Sequence, residues 1–248
     1  MKRVLLIANS FGEDGVRYLY GISRLGGEEI KVVTLFVGGC SLYRHYRNML
    51  SEKDVYHLYV NGTETGFDVS LKEALLSDEW DVVTFQQGSA FSGIYESYLP
   101  YLKELSAYVK KHAPAAKQYI HATWGWSDAA IARSKVKRYN SSEEMYALAD
   151  EAYKKAAKEI SADGYIPSTA VMSKLYRAVG DAAYKDGQHS SLGIGRYALA
   201  LAWYMTLFDK GIDGLEFRDF DVPVSDEEIQ IAERCAKEAV KENNYKKI

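Results

Sequence analysis

A serine directly after a short apolar run, Asn9-Ser10-Phe11-Gly12, and an Asp-x-x-His far along the chain, Asp186-Gly187-Gln188-His189, have the residue types and spacing for nucleophilic chemistry. A serine hydroxyl is a weak nucleophile until an imidazole takes its proton, and the imidazole needs a carboxylate to fix its tautomer. A carboxylate three residues before a histidine can reach back to Nδ1–H and leave Nε2 for the serine. Each half also has a plainer reading. Ser10 and Glu13 stand at the Ser-x-x-Glu spacing of a helix capping box. The polar segment Lys185–Ser191 fits an exposed turn in which Ser190 or Ser191 caps the apolar helix that follows. If the halves meet in space, the chemistry is ester hydrolysis, with the Ser10 backbone N–H free to bind an oxyanion.

The elements that must bring them together follow from the pattern. Short β-branched runs alternate with longer stretches of helical period, as in a parallel sheet covered by helices on both faces. The strands are predicted at Val4–Ala8, Ile30–Val37, Asp81–Phe85, Gln118–Thr123 and Gly164–Ile166. Between the second and third, Val55–Val60 and Phe67–Val69 flank Asn61-Gly62-Thr63-Glu64-Thr65-Gly66, which predicts a β-hairpin at the sheet edge. Helices are expected at Asp14–Arg24, Leu71–Leu76, Tyr98–His112, Ser142–Ile160, Thr169–Val179, Leu192–Asp209 and Asp226–Asn243, the last opened by a Ser225/Glu228 capping box. With no repeat or linker-like tract, the 248 residues read as one domain.

In an open parallel sheet, ligands bind beyond the carboxyl ends of the strands. Ser10, Gly38-Gly39, Gln86-Gln87-Gly88-Ser89 and His121–Trp126 all fall there. Trp124 and Trp126 offer an apolar wall or a sugar-stacking platform, or ordinary core packing. His121 is a candidate substrate contact or a satisfied structural histidine. Tyr43 and Tyr46, near Gly39 and among 20 tyrosines, fit a polar cleft or half-buried packing.

Ser10 after the first strand, Gly39 after the second, a polar cluster after the third and Asp186-x-x-His189 before the last long helices together resemble the SGNH hydrolase superfamily, the GDSL-type esterases. Within it the chain is similar to a poorly characterised bacterial branch with Asn-Ser-Phe at the nucleophile, Gly-Gly-Cys-Ser-Leu after strand two and Gln-Gln before a small-residue loop. The resemblance implies a three-layer α/β/α, flavodoxin-like fold with a five-stranded parallel sheet and a small inserted β-hairpin. It makes Ser10, His189 and Asp186 the nucleophile, base and acid, and the N–H groups of Ser10 and Gly39 two oxyanion donors. The superfamily's Gly-Asp-Ser is Ala8-Asn9-Ser10 here, and its oxyanion Asn is replaced by Ala90 after Gly88-Ser89. Gln87, at the end of the third strand, is the expected substitute donor. Short acyl esters, O-acetyl groups on sugars first and lipid or thioester substrates second, are the implied substrates, with activity rising with pH as His189 becomes neutral. A non-catalytic carbohydrate-binding or regulatory protein on the same fold is the alternative, and Ala90 is its support.

Composition narrows the partners. A formal charge of −3 from 31 basic and 34 acidic residues leaves no electrostatic footprint for nucleic acid or an anionic membrane, so a small-molecule or carbohydrate ester is the expected partner. Gly193-Ile194-Gly195-Arg196-Tyr197-Ala198 fits a dinucleotide string but follows no strand. There is no Gly-x-Ser-x-Gly elbow, and the five histidines lack zinc-site spacing. No cofactor is therefore expected. Cys40, beside Gly39, is a rival nucleophile that would need a depressed thiol pKa, and the basic stretch Arg133–Arg138 reads as a solvated face. Two distant cysteines imply no disulfide framework, and the run after Met1-Lys2-Arg3 is too short for a signal peptide, so a cytoplasmic protein is expected.

Overall fold

The computed structural model describes residues 1–135 and 137–243. A seven-stranded sheet runs through it in the spatial order β4-β3-β2-β1-β5-β6-β7. Strands β1 (Lys2–Ala8), β2 (Ile30–Phe36), β5 (Val82–Phe85), β6 (Lys117–His121) and β7 (Gly164–Ile166) are parallel throughout. They are the five strands predicted from the sequence, in flavodoxin-like order. Strands β1 and β5 are nearly continuous apolar runs because helices cover both their faces.

Strands β3 (Tyr56–Val60) and β4 (Thr63–Val69) add the predicted hairpin antiparallel to β2. Its loop is shorter than the expected six residues. Asn61 and Gly62 alone make the turn, with φ of 52° and 78°, the paired left-handed geometry of a two-residue hairpin. Thr63–Gly66 therefore belong to β4.

One face of the sheet is packed by α1 (Ser10–Val16), α2 (Leu19–Leu25), α8 (Ser168–Val179) and α9 (Ile194–Phe208), with α10 (Asp226–Glu242) lying on α8 and α9. The other is packed by α3 (Leu42–Ser51), α4 (Leu71–Leu76), α5 (Tyr101–His112) and α7 (Ser142–Glu159); α6 (Asp128–Arg133) is a short helix after β6. The helix expected at Asp14–Arg24 is two helices that start earlier. Asn9 is the N-cap, so Ser10 is the first helical residue and not the cap. Helix α1 sits hard on the strand ends: a Cβ at Gly12 would lie 2.5 Å from the Ala8 Cβ and 2.7 Å from Gln86 Oε1. Helix α3 was not expected, although Ser41 caps it by accepting the Arg44 N–H. The stretch Arg133–Arg138 includes residue 136, outside the described residues; within it Arg133 closes α6 and Arg138 lies over the Phe91 ring.

Candidate active site

Ser10 follows β1 by one residue. Asn9 takes an extended conformation and its Oδ1 accepts the Phe11 N–H at 3.0 Å, so the turn of helix begins at Ser10. The Ser10 N–H is consequently among the helix donors with no intrahelical acceptor, at the positive end of the peptide dipoles. The Ser10 Oγ lies 2.9 Å from His189 Nε2, across 179 residues of sequence.

On the other side of the ring, His189 Nδ1 lies 2.7 Å from Asp186 Oδ2. A carboxylate only accepts, so Nδ1 carries the proton and Nε2 is left as the acceptor of the serine proton. The second oxygen, Asp186 Oδ1, accepts the N–H groups of Gln188 at 2.9 Å and His189 at 2.8 Å, with Gly187 at a left-handed φ of 87° closing the turn. Partial burial raises the Asp186 carboxyl, but the two backbone N–H donors and the imidazole outweigh it and hold it down at about 2.

The loop is tied from several directions. Trp124 Nε1 donates to the Gln188 carbonyl at 2.9 Å, the Ser127 N–H donates to the Gly187 carbonyl at 2.8 Å, and the Lys185 N–H donates to the His189 carbonyl at 3.0 Å. Phe11 stacks on Trp124 at 4.4 Å between ring centroids and meets His189 edge-on at 5.4 Å. The plainer reading of this segment also holds in part: Ser191 Oγ accepts the Gly195 N–H at the start of α9. The dinucleotide-like string simply opens that helix, with Gly193 at its N-cap.

Gly39 lies in the exposed turn after β2, which is closed by the Cys40 N–H donating to the Val37 carbonyl at 3.1 Å. Its φ of 59° is left-handed, and a Cβ there would meet nothing within 4 Å, so the glycine serves the backbone conformation and not a close contact. Among the described residues no acceptor takes its N–H.

Other expected site residues are placed differently. Gln87 is buried, its Oε1 accepting the N–H groups of Leu42 at 2.8 Å and Gly88 at 2.9 Å, and its Nε2 donating to the carbonyl and hydroxyl of Ser97. Both amide hydrogens are engaged in the loop framework, so Gln87 is a brace and not an oxyanion donor. Trp124 is fully buried and supports the His189 loop in place of forming a substrate wall, whereas Trp126 is half-buried and donates to Ser89 Oγ at 3.2 Å. His121 is also fully buried, between Gln86 Oε1 and Ser168 Oγ at 3.0 Å each, and burial pushes its pKa down to about 3. It is a neutral structural histidine and does not reach substrate. Cys40 is buried, and desolvation pushes its thiol up to about 12, the wrong direction for a nucleophile. Tyr43 and Tyr46 pack against Tyr101.

Among the described residues no group of His, Cys, Asp and Glu could hold a metal ion, and no helix is long and apolar enough to cross a membrane. What the sequence analysis missed is Asn9, which caps α1, the helix that Ser10 opens, and donates from Nδ2 to the Cys40 carbonyl at 2.9 Å. Its signal was present, since Asn is among the strongest N-caps.

A mostly parallel sheet flanked by helices, with a serine, a histidine and an aspartate gathered at the carboxyl edge of its parallel strands, defines the class as an α/β fold. The chain belongs to the DUF4886 family, described as a domain of unknown function, whose model matches residues 3–239. It is similar to a DUF4886 family protein from Bacteroides uniformis, at 29% identity and TM-score 0.90 over 97% of this chain and 95% of that one. At the level of fold it is similar to a lipase/acylhydrolase from Enterococcus faecalis, at 12% identity, TM-score 0.53 and coverage of 82% and 94%. A carbohydrate esterase family 3 protein from Talaromyces cellulolyticus is similar at 14% identity, TM-score 0.55 and coverage of 84% and 97%. No curated protein sequence matches it.

Proposed function

We propose that this chain is a serine hydrolase of acyl esters that works in the SGNH manner and needs no cofactor. The observation that carries the reading is the unbroken line Ser10 Oγ, His189 Nε2, His189 Nδ1, Asp186 Oδ2, with separations of 2.9 Å and 2.7 Å. Ser10 attacks the ester carbonyl as His189 Nε2 takes its proton. The carbonyl oxygen becomes an oxyanion held by the N–H groups of Ser10 and Gly39. Collapse of the tetrahedral intermediate expels the alcohol, which takes the proton from His189. Water, deprotonated by the same imidazole, then cleaves the acyl-enzyme and returns the serine.

Short acyl esters, O-acetyl groups on carbohydrates in particular, are the proposed substrates. The support is the superfamily resemblance and the fold likeness to a carbohydrate esterase. The test is intact mass after treatment with a fluorophosphonate, comparing wild type with Ser10→Ala, followed by hydrolysis of acetyl and octanoyl esters. The proposal expects one adduct on Ser10, none in the variant, and faster acetyl turnover. An octanoyl preference overturns the substrate class.

One observation favours a non-catalytic reading: Ala90 supplies no side-chain donor and Gln87 is engaged elsewhere. Removing such a donor typically costs ~10²–10³ in turnover, which leaves a slow enzyme and not an inert one. No adduct under conditions that label a control esterase would select the binding protein.

A further inference from the structure

Behind the triad, a line of buried polar side chains crosses the carboxyl edge of the sheet in the spatial order of its strands. Ser168 after β7, His121 at the end of β6, Gln86 after β5 and Asn9 after β1 are all buried, and the line ends on the carbonyl of Cys40, beyond β2. The separations are 3.0 Å for Ser168 Oγ to His121 Nε2 and 3.0 Å for His121 Nδ1 to Gln86 Oε1. They continue at 2.6 Å for Gln86 Nε2 to Asn9 Oδ1 and 2.9 Å for Asn9 Nδ2 to the Cys40 oxygen.

Only one set of donors and acceptors satisfies the line. Asn9 Oδ1 accepts the Phe11 N–H, which fixes that amide and aims its Nδ2 at Cys40. Gln86 Nε2 must then donate to Asn9, which turns Gln86 Oε1 toward His121. His121 must carry its proton on Nδ1, so Nε2 accepts from the Ser168 hydroxyl. Burial keeps this ring neutral, and each member orients the next.

Both catalytic backbone donors rest on this line. A Cβ at Gly12 would meet Gln86 Oε1 at 2.7 Å and one at Gly15 would meet His121 Cε1 at 3.2 Å, so the nucleophile helix lies directly on two of its members. The Cys40 N–H is fixed by Val37 and the Cys40 carbonyl by Asn9, leaving Gly39, which has open space around it, oriented only through its neighbours. Gly88 closes the other side, where a Cβ would stand 3.3 Å from the Cys40 oxygen.

We propose that Asn9, Gln86 and His121 are positioning residues that aim the Gly39 N–H at the developing oxyanion, acting as one unit through the Cys40 carbonyl. The inference rests on the esterase reading. With no side-chain donor at position 90, the proposed oxyanion site depends on fewer donors, and these must be better fixed.

The variants are Asn9→Ser, Gln86→Met and the pair. Serine keeps an N-cap acceptor for Phe11 but is too short to reach Cys40; methionine fills the glutamine's volume without its hydrogen bonds. Each single variant is expected to lower kcat for an acetyl ester by ~10–100-fold, with KM within about threefold and the midpoint of the pH profile unchanged. The double variant is expected to be no slower than the slower single, because members of one unit are not additive. Labelling of wild-type Ser10 by the fluorophosphonate, with single variants that keep kcat within about threefold, multiply their losses or shift the pH midpoint, overturns the inference alone. An unlabelled wild type overturns the esterase reading and the inference with it. Circular dichroism and urea midpoints confirm that each variant is folded before its kinetics are read.

Discussion

Trp124 donates its indole N–H to the carbonyl of Gln188, the residue beside His189, while its ring lies flat on Phe11, the residue beside Ser10. One buried side chain thus braces the segments that carry His189 and Ser10 at once. Trp124→Phe keeps a ring face for Phe11 and loses the N–H. The expected result is a kcat lower by roughly tenfold with KM unchanged, from loss of a hydrogen bond of about 1 kcal/mol that orients the loop. Steady-state kinetics on an acetyl ester decide it. A raised KM at constant kcat would instead place Trp124 against the substrate.

Asp186→Asn removes the acceptor that fixes the His189 tautomer while keeping its shape. By the same logic that governs other triads, kcat is expected to fall by about 10⁴-fold, with the residual rate coming from binding and the oxyanion donors. The native carboxyl, held at about 2 by the backbone N–H groups of His189 and Gln188 against the upward pull of burial, stays ionised down to strongly acid pH. The acid limb of the wild-type pH–rate profile therefore does not report Asp186. Rates measured from pH 4 to 9 for wild type and variant check both points.

Acid stability follows from two fully buried histidines. Burial lowers His45 and His121 to about 3, with Arg44 adding to the effect at His45. His45 meets Tyr56 Oη at 3.0 Å through Nδ1, and its buried Nε2 has no hydrogen-bond partner among the described residues, so protonation there would bury an unpaired charge. The folded values lie below the unfolded value of about 6.5, so between the two the unfolded chain binds protons that the folded chain does not. This contribution is complete above pH ~6.5 and is lost as pH falls toward about 3, at up to roughly 1.4 kcal/mol per pH unit for each histidine. Urea midpoints are expected to drop steadily from pH 7 to pH 4.5. A flat profile would mean that these rings accept protons without penalty.

The parts of the fold that were legible are those written in periodicity. Strands β1, β2 and β5 show as apolar runs, and the Asp186–His189 pair shows because its geometry is local. The joining of Ser10 to His189 spans 179 residues and was readable only through block order. The roles of strand-end polar residues were not readable, because a buried brace and an exposed donor have the same residue type. Gln86, Gln87, His121 and Trp124 sit at the expected edge, yet their partners are backbone groups and side chains of distant segments. Helix α3 is hard to read from the sequence because its buried positions, Leu42, His45 and Met49, include a histidine and are interleaved with aromatic and basic residues, so its apolar stripe is short and broken.

Gln87 gives the sharpest contrast between the two kinds of residue at this edge. Its side-chain oxygen accepts the N–H of Leu42, the first residue of α3, and the N–H of Gly88, while its nitrogen holds the Ser97 carbonyl and hydroxyl. Gln87→Met removes all of these bonds and leaves two buried backbone donors without an acceptor, at ~1–3 kcal/mol each. For a chain of this size 1 kcal/mol corresponds to about 2–4 °C, so Tm is expected to fall by several degrees. The N–H groups of Ser10 and Gly39 do not depend on this amide, so kcat per folded molecule is expected to stay within about threefold of wild type. Thermal denaturation and active-site titration with the fluorophosphonate separate the two effects. A variant with native Tm and a hundredfold lower kcat would return Gln87 to the oxyanion site.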